Sequence, residues 1–271
     1  MRTDAPLTDG PDWALLTTGR SPQTTLRGIR MKMSANNVTK LSRTKVDLFI
    51  SCPRCFYLDQ CLKISTPPGF PFNLNNAVDA LLKREFDGYR ERGEPHPYMV
   101  QAGIDAVPAK HPMIDDWRQQ KKGVRVQHAA TGFELFGLID DLWQDTRTGN
   151  YIVVDYKATS KNTEVSLDAE WQDVYKRQME FYQWLLRGNG LTVDDTGYFV
   201  YCNGIKSSPS FDDTLRFKTT VIPYKGSDVW IEPILAEIKK TLESDLLPPS
   251  AKECKNCSYV DKVNTATQGT R

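Results

Sequence analysis

Residues 132–158 read GFELFGLIDDLWQDTRTGNYIVVDYKA. Two apolar runs flank a polar, glycine-containing turn at 145–150, which predicts a hairpin with strands over 132–144 and 151–158. Centring the turn between Arg147 and Thr148 sets Asp140 opposite Asp155 and Leu138 opposite Lys157. Alternation with period two then gathers Asp140, Asp155 and Lys157 on one face and turns Asp141 to the other. Two carboxylates held directly opposite one another repel, and apolar neighbours raise the cost. Lys157 supplies one compensating charge. A divalent cation suits the pair better, because Mg²⁺ is typically held by carboxylates together with a substrate phosphate. There it orients the phosphate and acidifies a water, with Lys157 steadying that water or the developing negative charge. An ordinary surface Asp–Lys pair is the competing reading.

Upstream, Ser42 caps a short predicted helix over 43–50, Cys52-Pro53 interrupts it, and residues 54–62 add a further turn or two. A Pro-rich loop at 67–71 leads into an amphipathic helix over 75–92, with Val78, Leu81, Leu82, Phe86 and Tyr89 at helical spacing and Gly93 as its stop. A short helix is expected near 113–120 and a strand at 124–128. Downstream come a long helix at 168–186, strands at 196–202 and 215–224, and a helix at 227–244 capped by Ser227, with Pro233 kinking it or marking its start. The long helix carries Tyr175, Gln178, Tyr182 and Leu185 on one stripe. The fold class is α/β, a central mixed sheet flanked by helices. One domain over 39–262 is expected between irregular tails at 1–38 and 263–271, with Met31 and Met33 as alternative starts.

The 271 residues are 39% hydrophobic and 25% charged, enough to bury a core. No apolar run is long enough to span a membrane, and no signal-peptide core is visible near the start, so a cytoplasmic location is expected. Lys and Arg number 35 against 34 Asp and Glu, so net charge by itself points to no polyanionic partner. Six cysteines without a secretory signal point to metal or redox chemistry. Cys52 and Cys55 form one CxxC pair and Cys254 and Cys257 another, together a four-thiolate set for zinc or a [4Fe–4S] cluster. Cys61 is the reserve ligand and Cys202, in an apolar strand, a structural thiol. His96, His111 and His128 share no ligand spacing and suit loop or core positions.

Gly137 to Asp140, Val153 to Lys157 and Gln178-x-x-x-Tyr182 together resemble the RecB-like branch of the PD-(D/E)xK nuclease superfamily, which includes helicase-associated nuclease domains and CRISPR-adaptation exonucleases. Leu41 to Lys45 and Ser51 to Tyr57 are similar to the branch's N-terminal element, and the likeness runs in order over about 41–260. It implies a restriction-endonuclease-like core and Mg²⁺- or Mn²⁺-dependent phosphodiester hydrolysis. Asp140 and Asp155 would be metal ligands, Lys157 the catalytic lysine, and Gln178 and Tyr182 the branch motif. The family's earlier helix usually brings a His or Glu to the metal; here Asp79 stands at that place and is the candidate third oxygen ligand, with Glu85 on another face. The likeness favours an iron–sulfur cluster, usually with three C-terminal cysteines; this chain has two, which makes Cys55 the replacement ligand.

The expected function is thus a Mg²⁺- or Mn²⁺-dependent deoxyribonuclease, an exonuclease in DNA repair, recombination or CRISPR-type processing. Its partners would be single-stranded DNA or duplex ends and, since the chain has no P-loop, a separate helicase or CRISPR-adaptation protein. Lys121, Lys122, Arg125, Lys176 and Arg177 are candidates for a strand path. Two other readings stay open: a catalytically inert nucleic-acid-binding or scaffolding subunit of a helicase–nuclease complex that keeps the fold and metal staple, and a zinc-stabilised interaction protein.

Overall fold

The computed structural model describes residues 38–70 and 72–268. After β1 (Lys40–Ser42), the Ser42 hydroxyl accepts from the Lys45 amide and starts α1 (Arg43–Ser51). Cys52 is extended and Pro53 opens α2 (Pro53–Cys61), because proline fits the first helical position and cannot continue a preceding helix. The long helix α3 (Asn73–Arg92) ends at Gly93, whose φ of 69° is the left-handed conformation glycine adopts without strain. Its exposed residues include Leu81, which the spacing had placed on the apolar face; Leu82 and Phe86 carry the burial instead. Two short helices, α4 (Pro97–Gln101) and α5 (Ile114–Trp117), flank β2 (Ala106–Pro108).

The stretch read as one strand over 132–144 is two. After β3 (Val124–His128), β4 (Phe133–Gly137) joins a three-stranded sheet, ordered β1-β4-β3. The chain then leaves the ladder at residues 138–140, and β5 (Asp141–Asp145) enters a second, five-stranded sheet. At Gly137, the last residue of β4, a Cβ would come within 2.5 Å of the Tyr182 ring, so the strand passes too close to a helix for any larger side chain. Between β5 and β6 (Tyr151–Thr159) the predicted register holds: Asp141 lies opposite Val154, and Gln144 opposite Tyr151. Asp140 and Leu138, however, have no place in the ladder, which ends at the Asp141–Val154 pair, so neither of the expected pairings with Asp155 and Lys157 forms. Lys157 pairs instead with Tyr201 in β7 (Thr196–Gly204), which runs parallel to β6, as its crossover through α6 (Asp173–Gly188) requires. The strand β8 (Phe217–Lys225) completes the order β2-β5-β6-β7-β8.

Ser227 does not cap the next helix. Its amide is held by Glu180, and α7 (Ile231–Glu243) starts at Trp230, with Pro233 in its first turn. The C-terminal stretch, expected to be irregular from 263, is helical through Gln268 as α8 (Lys255–Gln268). The expected N-terminal tail falls outside the described residues up to position 37.

Apolar side chains alternate across the large sheet. Leu142, Val153 and Phe199 meet Met179, Phe181 and Leu185 of α6 in one cluster; Trp143, Ile152, Val154 and Val200 meet Leu82 and Phe86 of α3 in the other. The fold is a mixed sheet with helices on both faces, and Asp140 sits where the chain crosses between its two sheets.

Candidate active site and cysteine centre

Strand β6 and helix α6 build the acidic site rung by rung. The Gln178 amide donates to Asp155 Oδ1 at 2.6 Å and lies 3.3 Å from the Tyr182 hydroxyl. Lys157, two residues along the strand, pairs with Asp155 and sets its Nζ 4.6 Å from the Tyr175 ring centre. Asp155 is fully buried, and its Oδ2 meets the Lys157 ammonium in a contact without hydrogen-bond geometry. Burial drives the Asp155 carboxyl up to about 7; Lys157 opposes that rise and the nearby Asp140 charge adds to it. Burial likewise raises the Tyr182 hydroxyl, although Arg43 of α1 lies against it and pulls the other way.

Asp140 reaches the same place from the sheet crossing. Its Oδ2 accepts from the Tyr156 amide at 3.0 Å, and its carbonyl from Arg118 Nε at 3.0 Å. Its Oδ1 takes Lys83 Nζ at 3.2 Å, and the same ammonium lies 2.8 Å from Asp79 Oδ2. Desolvation and the Asp140 charge raise the Asp79 carboxyl; Lys83 is raised as well, since the two acids outweigh its own burial. Lys83 was not singled out in the sequence, although it lies one turn from Asp79 on the same helix face, where a paired cation is expected. The groups named from the hairpin and the earlier helix form a chain: Asp79 meets Asp140 through Lys83, Asp140 acts electrostatically on Asp155, and Asp155 pairs with Lys157. Asp141 points to the other face, as its register requires.

Carboxylate oxygens are the donors a hard cation takes, but those of Asp79, Asp140 and Asp155 do not gather as the cysteine sulfurs do, and ammonium groups already stand against them, Lys83 between Asp79 and Asp140 and Lys157 against Asp155. Glu85 stands apart and pairs with His96. Of the proposed strand-path cations, Lys122 pairs with Asp116, Arg125 with Glu134, Lys176 with Asp173 and Arg177 with Asp47. Such pairs at or near the surface contribute little, so they neither assign these cations to a polyanion nor exclude them from one.

Among the described residues, only Cys52, Cys55, Cys254 and Cys257 gather as a compact cluster of metal-ligating side chains, all four sulfurs lying within 4.8 Å of one another. Cys55 Sγ is 3.5 Å from Cys254 and 3.6 Å from Cys257, and Cys52 is 3.8 Å from Cys257. The break between α1 and α2 presents the first pair and the start of α8 the second, so the cluster ties the two chain ends together. Cys61 lies outside it, and Cys202 is buried in β7 beside Thr219. His96, His111 and His128 pack against aromatic rings, away from the cluster.

Among solved structures, one described as "Crystal structure of SSO0001" is similar over 78% of this chain and 80% of its own, with 14% identity and a TM-score of 0.40. No curated protein matches the chain. A profile of the PD-(D/E)XK nuclease superfamily, by contrast, matches residues 40–261, a span that holds the acidic hairpin, the Gln178–Tyr182 helix and all four clustered cysteines. With that span matched, the chain belongs to the PD-(D/E)XK nuclease superfamily.

Proposed function

We propose that this protein is a Mg²⁺- or Mn²⁺-dependent DNA exonuclease of the RecB-like branch, built as one catalytic domain over 39–262. The observation that carries the reading is Asp155, a fully buried carboxylate held by Gln178 on one oxygen and by the ammonium of Lys157, on its own strand face, on the other. A divalent cation on Asp140, Asp155 and Asp79 would supply Lewis acidity to the scissile phosphate and its attacking water. Gln178 fixes the orientation of Asp155 through its amide, and Tyr182, held neutral by burial, lies within reach of that amide. Lys157 places its side-chain nitrogen beside the reacting region, against Asp155 and the Tyr175 ring. Repair, recombination or CRISPR-type end processing, with movement supplied by a separate helicase, fits a nuclease chain without a P-loop.

For the cysteine centre we propose zinc rather than the [4Fe–4S] cluster that family likeness favours. Four thiolates at about 2.3 Å from one tetrahedral ion stand roughly 3.8 Å from each other. Three of the six sulfur pairs, at 3.5–3.8 Å, are near that spacing, and all six lie within 4.8 Å. A cubane keeps its iron and sulfide atoms between the ligands and spreads them farther.

Labelled linear single- and double-stranded DNA, incubated with Mg²⁺ or Mn²⁺, tests the first proposal. Cleavage is expected with metal and is lost in Asp155→Ala and Lys157→Ala. Cleavage surviving in both variants overturns the site. A second reading, an inert nucleic-acid-binding subunit, draws on the Lys83 ammonium lying between Asp79 and Asp140; absence of cleavage with either metal supports it. Elemental analysis of purified protein decides the cysteine centre: one zinc is expected, and stoichiometric iron with visible charge-transfer colour overturns it.

A further inference from the structure

The rungs between β6 and α6 continue past the acidic site. Beyond Asp155–Gln178 and Lys157–Tyr175, Lys161 Nζ stands 5.0 Å from the ring centre of Trp171. Trp171 meets Tyr175 edge to face, centroids 5.5 Å apart at 81°. It is also 54% exposed, an indole left in water beside the acidic site.

The backbone is pinned on both sides of this rung. Trp171 belongs to a 3-10 turn, Glu170–Gln172, whose last residue is fully buried. The Gln172 side chain accepts from the Ala169 amide at 3.1 Å and donates to the Ser166 carbonyl at 2.6 Å, locking the turn. Across from it, the Lys161 amide donates to Asn203 Oδ1 at 2.8 Å, while Asn203 Nδ2 donates back to the Lys161 carbonyl at 3.1 Å. The turn that carries the exposed indole is thus held in place before any ligand arrives, so stacking on it costs little backbone ordering.

We infer that Trp171 and Tyr175, with Lys161, form a stacking subsite for the base of an unpaired nucleotide next to the scissile phosphate. The identity of the ligand rests on the nuclease reading. Lys161 takes an adjacent phosphate, and the exposed indole takes the base face. In a duplex each base face is covered by its neighbours, so only a single strand or a frayed end offers a face to Trp171. The subsite therefore selects single-stranded substrate without reading its sequence, since every base has a π-face.

The test compares binding of an oligothymidylate with that of an abasic strand of equal length, by fluorescence anisotropy without added Mg²⁺ or Mn²⁺. The natural protein is expected to bind the base-bearing strand about 5- to 100-fold more tightly. Trp171→Ala abolishes this preference and leaves abasic binding unchanged, and Trp171→Phe restores most of it. The inference is overturned if the natural protein shows no preference, or if the preference survives in Trp171→Ala. Failure of the nuclease reading looks different: no cleavage with either metal, whatever the base preference.

Discussion

Asp140 and Asp141 are consecutive residues with opposite fates. Asp141 is fully buried, and its Oδ1 gathers the Arg90 and Arg118 guanidiniums and the Leu142 amide, while Oδ2 accepts from the Tyr156 hydroxyl at 2.6 Å. Asp140 has the Tyr156 amide on one oxygen and, on the other, an ammonium shared with Asp79. Tyr156 thus serves both acids, one with its backbone and one with its ring. One residue apart, the same side chain is structural where four donors saturate it inside the sheet and less fully satisfied where each oxygen takes one donor at the crossing. Asp155 differs from both, with the Gln178 amide on one oxygen and the Lys157 ammonium on the other.

The largest expected effect separates the two in stability. Asp141→Ala leaves two buried guanidiniums facing one another, and breaking a buried pair costs about 3–5 kcal/mol. The low end is expected, because Asp87 still pairs with both arginines. Asp140→Ala should cost less, about 1–2 kcal/mol, since Lys83 keeps Asp79 and the main loss is the acceptor of the Tyr156 amide. Its effect falls on metal-supported cleavage, which should drop by more than the ~10–100-fold typical of residues behind the ligands. Urea denaturation read beside cleavage rates checks both halves. Equal stability losses in the two variants would erase the distinction.

Lys83 gives the next effect. Its ammonium occupies the space between Asp79 and Asp140, where it competes with any incoming cation. Lys83→Met removes that competition and should tighten Mn²⁺ binding. A unit charge at close range is worth about 1 kcal/mol in a water-like surround, so roughly a 5-fold change is expected. Calorimetric titration of Mn²⁺ measures it. Weaker binding in Lys83→Met would mean that the lysine props the carboxylates open for the metal.

Much of this site was legible because short-range rules fix it. The turn at 145–150 set the β5–β6 register, and helical spacing put Tyr175, Gln178 and Tyr182 on one stripe. The departure at 138–140 was not legible. An apolar run looks the same whether one strand continues or the chain changes sheets, and the close approach of Gly137 to Tyr182 is made by residues far apart in sequence. Helix α8 was missed because it is polar and buries only Cys257, so no apolar periodicity announces it. Asp79 was found from its place in a likeness, whereas Lys83 needed the fold to bring Asp140 beside it.

The smallest effect is the most selective, because the two faces of the sheet should give pH slopes of opposite sign. His96, stacked on Phe86 against the structural face, has its pKa lowered by burial; Glu85, bonded to its Nε2, and the more distant Asp141 pull it the other way. Its Nδ1 accepts from the Tyr98 amide, a bond that protonation of that nitrogen abolishes. The unfolded chain takes up a proton near pH 6.5 and the folded protein resists, so this group costs stability as pH falls through 6.5. Asp155 is pushed up to about 7, so without metal the folded protein holds a proton that the unfolded chain has already released. That group costs stability as pH rises from about 4 towards 7. Each contributes at most about 1.4 kcal/mol per pH unit. Between pH 5.5 and 6.5 the two oppose each other in the natural protein. Replacing His96→Asn should make metal-free stability fall more steeply with rising pH, and Asp155→Asn should make it rise. Urea midpoints at the two pH values separate these outcomes, and slope changes of the same sign in both variants would place the two groups in one environment.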